Sequence, residues 1–172
     1  YVYNTSGGLL GSWTAGTLSS TAQVEGVAMD GTDIWIVDNK NDKVYKYAGA
    51  ASRLTGSQNA ASSFNLNNGN SSPKGIVTDG TSIWVVNDGT TDKVFKYSLA
   101  GTLLGSWTID AANSVPTGLT IDPTNVSDIW IVDNGTDKVY QYNAATSRTS
   151  GSQSAAATFA LASGNTNPQD IA

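Results

Sequence analysis

The sequence predicts an all-β chain in which one four-stranded antiparallel unit recurs, and three observations predict it. Trp35, Trp84 and Trp130 each stand in an I-W-[IV]-V frame, at spacings of 49 and 46 residues. Each frame is followed by D-K-V-[YF]-x-Y, over 42–47, 92–97 and 137–142. Turn signals such as D-G-T and D-N-G-T separate the apolar runs. A four-stranded unit with apolar inner strands, repeated every ~40–50 residues, marks a β-propeller blade.

Each element follows in order. Strand A is expected at 26–30, 75–79 and 118–122, each opening on glycine and closing on aspartate. Strand B is expected at 34–37, 83–86 and 129–132; it is apolar on both faces, so both faces should be covered. Strand C is expected at 44–47, 94–97 and 139–142, where Val and aromatic residues favour extended backbone. Strand D centres on Phe64, Trp107 or Phe159. The division is a partial blade over 1–23, whole blades over about 24–72, 73–115 and 116–166, and strand A of a further blade over 167–172.

A longer period lies above the blade. Tyr97 to Trp107 is 10 residues, as is Tyr3 to Trp13, whereas Tyr47 to Phe64 and Tyr142 to Phe159 are 17. Short and long C–D connections therefore alternate, the long ones reading SRLTGSQNAASSF and SRTSGSQSAAATF. Alternation in a closed ring calls for an even blade number, six or eight. The chain opens on the end of a strand C and closes on NPQDIA, in phase with strand A. It reads as part of a larger ring, or as one completed by another chain, and an open half-blade invites strand addition or self-association. Tyr1 reads as the start of a processed chain or a fragment.

Composition narrows the function. Charged residues are 13% of the chain, the net charge is −5 and the pI about 4.4. No basic run exists, which argues against nucleic acid and against an anionic membrane surface. No apolar run approaches the ~18 residues of a span, so no membrane insertion is expected. With no cysteine there is no disulfide, thiolate or Cys-ligated zinc; with no histidine there is no Ser-His-Asp triad or imidazole base. The polarity comes from Asn, Ser, Thr and Gly, in keeping with an extracellular or cell-surface protein.

The frame G-[IVL]-x-x-D-G-T-x-I-W-[IV]-V-[DN]-x-x-x-D-K-V-[YF]-x-Y resembles the NHL-repeat propeller family over nearly all the chain. Gly75, Asp79, Ile83, Val85, Asn87, Lys93 and Val94 match that family's glycine, A–B turn acid, B strand, strand-end acid and basic residue opening strand C. Trp84 stands where the family usually has an aromatic. The resemblance implies a propeller fold and a range of roles, among them protein-binding modules, lyases, lactonases and surface proteins. The enzymes of this kind resemble one another in using histidine, often with a metal, and this chain has none.

Three sets of side chains are candidates for chemistry. Asp38 with Asp42, Asp88 with Asp92, and Asp133 with Asp137 place paired carboxylates at the B–C turns. Such turns could take Ca²⁺ or bond sugar hydroxyls; the structural alternative is a hairpin turn with each Asp paired to Lys43, Lys93 or Lys138. No D-x-[DN]-x-[DN]-G loop ending in Glu is present, so this is no EF-hand. Arg53 and Arg148, the only arginines, occupy the two long connections, as an anion clamp or as loop ties. Trp35, Trp84 and Trp130 read as core; Trp13 and Trp107 lie on the outer strand, where core or rim packing leads and partial exposure with sugar stacking is the alternative. Glu25, the only glutamate, would need Asp170 or Asp122 beside it to form a hydrolase pair.

The expectation is a non-catalytic extracellular module presenting propeller-face loops to a carbohydrate or protein ligand, with no obligatory cofactor. The alternative is a propeller lyase or hydrolase acting without histidine.

Overall fold

A computed structural model describes residues 1–172. It contains sixteen strands: β1 Val2–Tyr3, β2 Leu9–Gly11, β3 Thr14–Ala15, β4 Val24–Met29, β5 Ile34–Asp38, β6 Lys43–Tyr47, β7 Ser57–Gln58, β8 Ser62–Asn65, β9 Pro73–Thr78, β10 Ser82–Asn87, β11 Lys93–Ser98, β12 Leu103–Thr108, β13 Pro116–Ile121, β14 Ile129–Asp133, β15 Lys138–Tyr142 and β16 Ala157–Ala160. Helix is confined to two short 3₁₀ turns, Ala50–Ser52 and Ala145–Ser147.

Three antiparallel sheets run in chain order, β4-β5-β6-β8, β9-β10-β11-β12 and β13-β14-β15-β16. They share one register: Trp35 faces Lys46, Trp84 faces Lys96 and Trp130 faces Gln141. Likewise Val44 faces Phe64, Val94 faces Trp107 and Val139 faces Phe159, which puts the expected aromatics on the fourth strands. Ahead of them β1 and β2 form a hairpin.

The inner strands of successive sheets lie against one another, β4 on β9 and β9 on β13. Glycine makes this approach possible. A side chain at Gly75 would meet the Gly118 Cα at 2.8 Å and the Leu119 N at 2.9 Å, closer than a Cβ normally comes. The residue after each glycine records which sheets have a neighbour: Ile76 and Leu119 are 5% and 2% exposed, but Val27 is 54% exposed. Residues 168–172 follow on beside β13, where the Thr117 hydroxyl donates to the Pro168 carbonyl at 2.9 Å.

The core lies between sheets. One apolar cluster joins the second and third sheets through Trp84, Trp107, Leu119 and Tyr142, and another joins the first and second through Trp35, Val44, Ile76 and Tyr97. A third packs Trp13, Ala15 and Leu18 of the N-terminal segment on Tyr45 and Tyr47. Burial of this apolar area drives the stacking.

The alternation of connections has a structural cause. The long connection of the first sheet supplies β7, which pairs in parallel with β3 of the preceding segment. The third sheet repeats this on the second: the Ser106 N–H donates to Thr149 O at 3.0 Å and the Thr108 N–H to Gly151 O at 2.9 Å. Each long connection thus covers the outer edge of the short-type unit before it. Trp107 is consequently fully buried, in line with core packing of that outer strand and not with sugar stacking; Trp13 is half-buried.

Candidate functional site

One face carries the B–C turns and the D–A connections together. Strand B delivers a buried side chain to it in every sheet. Asp38 accepts from the Gln23 N–H at 2.9 Å, Asn87 from the Ser72 N–H at 2.8 Å and Asp133 from the Val115 N–H at 2.7 Å. Each ties the D–A connection to the end of strand B of the following sheet. Asp38 also accepts from the Lys40 N–H and the Asn41 amide, and Asp133 from the Thr136 N–H and hydroxyl. A buried carboxylate bonded this way is held by backbone dipoles and needs no cation.

The other four turn carboxylates are half-buried. Asp42 and Asp137 adopt left-handed backbone, φ 49° and 51°, and each keeps one carboxylate oxygen without a protein donor. Asp92 accepts from the Gly89 N–H at 3.0 Å. Burial pushes its carboxyl above the ordinary range, and the charges of Asp88 and Asp133 add to that. Asp88 is raised by burial too, with Lys74 opposing and Asp133 reinforcing. The expected pairing with Lys43, Lys93 or Lys138 does not occur; the one ion pair is Lys46–Asp33, 2.7 Å, on the opposite face. In each D-K dipeptide the aspartate belongs to the turn and the lysine opens strand C. No three acidic groups sit at metal-ligating spacing.

On this face, at the second sheet, lies a groove of about 230 Å³, lined by Thr90, Thr91, Asp92, Thr108, Ile109, Asp110 and Ala111. Three hydroxyls and two carboxylates surround a small apolar floor. Asp110 is anchored by the Ala112 and Ala155 N–H groups, both at 2.9 Å, so the groove wall is fixed by the third sheet's long connection.

The opposite face holds the A–B turns and the arginines. Asp30, Asp79 and Asp122 each accept from the backbone and hydroxyl of the threonine two residues on, closing the D-x-T turns. Asp122 also accepts from the Trp130 indole at 3.0 Å, and these bonds hold its carboxyl down at about 2. Arg53 donates to the Gln58 side chain at 2.7 Å and Arg148 to Gln153 at 2.9 Å, while Gln58 and Gln153 hold the Ala48 and Asn143 carbonyls. Both arginines thus pin the long connections. The carboxylates and the arginines are not brought together. Glu25 accepts from the Asn39 amide at 3.3 Å; Asp122 lies at the other end of strand A.

Sequence reasoning missed a pair of buried asparagines. Asn70 and Asn113 donate to the Tyr97 and Tyr142 hydroxyls at 3.2 and 3.1 Å, joining one sheet's D–A connection to the next sheet's strand C. The signal was their common position six residues after Phe64 and Trp107.

Comparison with solved structures agrees with this geometry. A chain of the nidogen/laminin complex matches with TM-score 0.52 and 22% identity, over 76% of this chain and 52% of that one. Glutaminyl cyclase of Myxococcus xanthus matches with TM-score 0.56 and 13% identity, over 77% and 53%. The fold is a β-propeller. Hydrazine synthase of Kuenenia stuttgartiensis matches with TM-score 0.59 and 11% identity, over 89% of this propeller chain and 40% of its own. The chain thus spans about half the length, or less, of the solved structures it matches. No family model matches it, and no curated protein does. No helix is long and apolar enough to cross a membrane.

Proposed function

We propose that this propeller, of NHL-like blades, is a non-catalytic extracellular binding or scaffold module whose B–C/D–A face engages a carbohydrate or protein ligand. The groove of Thr90, Thr91, Asp92, Thr108 and Asp110 carries the reading. Hydroxyls and carboxylates around an apolar patch suit the alternating hydroxyl and C–H surfaces of a sugar or a polar loop. Asp42, Asp88 and Asp137 would extend the contact along the face, with Asp38 and Asp133 holding its backbone; Arg53 and Arg148 face the other way. The nidogen/laminin match, to a chain of a protein–protein assembly, supports a binding role for such a fold. Ring size is taken as six or eight, and Ca²⁺ as an addition to test by its effect on thermal stability. Neither nucleic acid nor membrane insertion enters the proposal.

A glycan array followed by titration calorimetry tests it. The expected result is a ligand whose affinity falls roughly tenfold in Asp92→Asn, about the worth of one charge-assisted hydrogen bond, with melting temperature unchanged. Absence of any carbohydrate or protein ligand, or equal binding by the variant, would overturn it.

The second reading is a lyase or hydrolase without histidine. Its motive is the raised carboxyl of Asp92 beside Asp88, suited to a proton donor, and the glutaminyl cyclase and hydrazine synthase matches show that such folds occur in enzymes. Turnover lost in Asp92→Asn, with binding kept, would select it.

A further inference from the structure

The two arginines stand at the same place in the two long connections, and the fold uses only part of each. Arg148 gives its Nε–H to Gln153 at 2.9 Å. Its Nη1 reaches the Ser150 and Ser152 carbonyls only at 3.5 and 3.4 Å, and its Nη2 bonds to no atom of the chain. No carboxylate lies within ion-pair distance of it, the one ion pair being Lys46–Asp33. The guanidinium is nevertheless half-buried and held in place by Gln153, which is itself tied to the Asn143 carbonyl at 2.8 Å. A planar cation fixed with an unused donor edge is pre-organised for an anion.

Beside it lies a cavity of about 350 Å³, lined by Asn143, Ala144, Ser147, Arg148, Thr149 and Ser150. No acidic side chain lines it, and the Asn143, Thr149 and Ser150 side chains form no hydrogen bond within the chain. The backbone N–H groups of Thr149, Ser150 and Gly151 have no acceptor either, and Gly151 turns left-handed, φ 76°. Successive free N–H groups at such a turn form the concavities that hold anions. The Asp128 carboxylate, buried behind the wall at Ala144, is taken up by the Ala144 N–H, the Gln141 amide and the Ser127 hydroxyl. The segment is anchored on the second sheet by the Ser106 and Thr108 N–H groups, which donate to the Thr149 and Gly151 carbonyls.

The first sheet carries a built-in comparison. Arg53 has the same pose: its Nε–H donates to Gln58 at 2.7 Å, and Gln58 holds the Ala48 carbonyl at 2.7 Å. The cavity beside it is smaller, about 200 Å³, and is lined by Gly49, Ser52, Arg53, Leu54 and Thr55. Leu54 stands where the third sheet has Thr149, and Ala48 where it has Asn143. One arginine thus looks onto uncharged donors and the other onto an apolar wall.

We propose that the cavity at Arg148 binds a tetrahedral oxyanion, a sulfate or phosphate group. The Nη2 edge of Arg148 is its charged donor, and the Asn143 amide, the Thr149 and Ser150 hydroxyls and the free N–H groups of 149–151 are its neutral ones. The cavity is larger than such a group alone, which suits an ester carried on a small polar body; the free ion is the other source of the same chemistry. The site lies on the face opposite the groove of Asp92 and does not rest on the reading of that groove.

NMR titration of the isotope-labelled chain tests it. The probes are inorganic sulfate and phosphate and a hexose sulfate and a hexose phosphate monoester, each against chloride at matched ionic strength. The expected result is a saturable shift of the Arg148 Nε–H and of the 149–151 backbone N–H signals with the oxyanions and not with chloride. Tighter binding of the monoesters assigns the site to an ester; equal binding assigns it to the free ion. Asn143→Ala with Thr149→Leu copies the lining found at Arg53 and leaves the bonds of Arg148 in place. It should keep the melting temperature and weaken binding by roughly tenfold. The reverse pair, Ala48→Asn with Leu54→Thr, should make the Arg53 Nε–H respond as well. Chloride shifts equal to those of the oxyanions, an equal response at Arg53 in the wild type, unaltered affinity in the Asn143 and Thr149 variant, or no response at Arg53 in the reverse pair would each overturn the proposal.

Discussion

Asp133 and Asp92 stand four to five positions from one another's equivalents in the same repeated turn, yet their environments are opposite. Asp133 is fully buried and accepts from Val115 and Thr136. Asp133→Ala leaves those N–H groups without an acceptor, a loss of about 1–3 kcal/mol expected in urea unfolding. Asp92 is ionised against burial and neighbouring charge, so its charge is a cost at neutral pH. Asp92→Asn should therefore leave stability at pH 7 unchanged or slightly raised in the same assay. The sign reverses at Asp122, whose carboxyl is lowered from 3.8 to about 2. What its ionised form contributes is present above the ordinary carboxylate range and is lost as pH falls through about 2. Asp122→Asn should then be less stable than wild type near neutrality and converge with it toward pH 2, as read by thermal melts across pH. The sequence gathered six aspartates around the B–C turns; Asp38 and Asp133 close strand B and the other four follow it. It could not say that Asp38, Asn87 and Asp133 face inward, because the deciding donors lie 15 to 18 residues away, at Gln23, Ser72 and Val115.

At the scale of elements the strands were legible because burial on both faces leaves an unbroken apolar run, as in Ile83–Val86. The role of the long connections was not. Their Ala, Ser and Thr carry no periodicity, and the strand they form pairs with a neighbouring sheet. Replacing the long connection of the third sheet by the short turn 98–102 should uncover β12 and wet Trp107. A red-shifted tryptophan emission and a lower melting temperature are the expected readouts. The inner strands make a second demand. Gly75→Ala pushes a Cβ into the Gly118 backbone, and overpacking of this kind costs about 1–3 kcal/mol, again measurable by urea unfolding. Gly31→Ala meets no neighbour and should differ from it, its loss coming from the left-handed backbone alone, φ 96°.

For the whole molecule, the repeating unit is a pair of blades, one short-type and one long-type, locked by the parallel strand that the second lends the first. This is why alternation in the sequence speaks for an even ring. The blades are joined by the same tyrosine socket, the Tyr97 hydroxyl taking the Asn70 amide and the Tyr142 hydroxyl that of Asn113. The six-residue offset behind that socket was present in the sequence, but its meaning depended on knowing which strand comes to rest over Phe64 and Trp107. Function was the least legible property, since the groove beside Asp92 joins a B–C turn to the end of strand D some 16 residues on, and no motif spans it.

The most direct test of this architecture is a double-mutant cycle across one junction, Tyr142→Phe with Asn113→Ala, followed by urea unfolding. If the sheets are clamped side by side as described, the two losses are coupled by about 1 kcal/mol, within the range found for residues in one hydrogen-bonded network. Losses that add independently would mean that Tyr142 and Asn113 do not meet, and that successive sheets are not joined in this way.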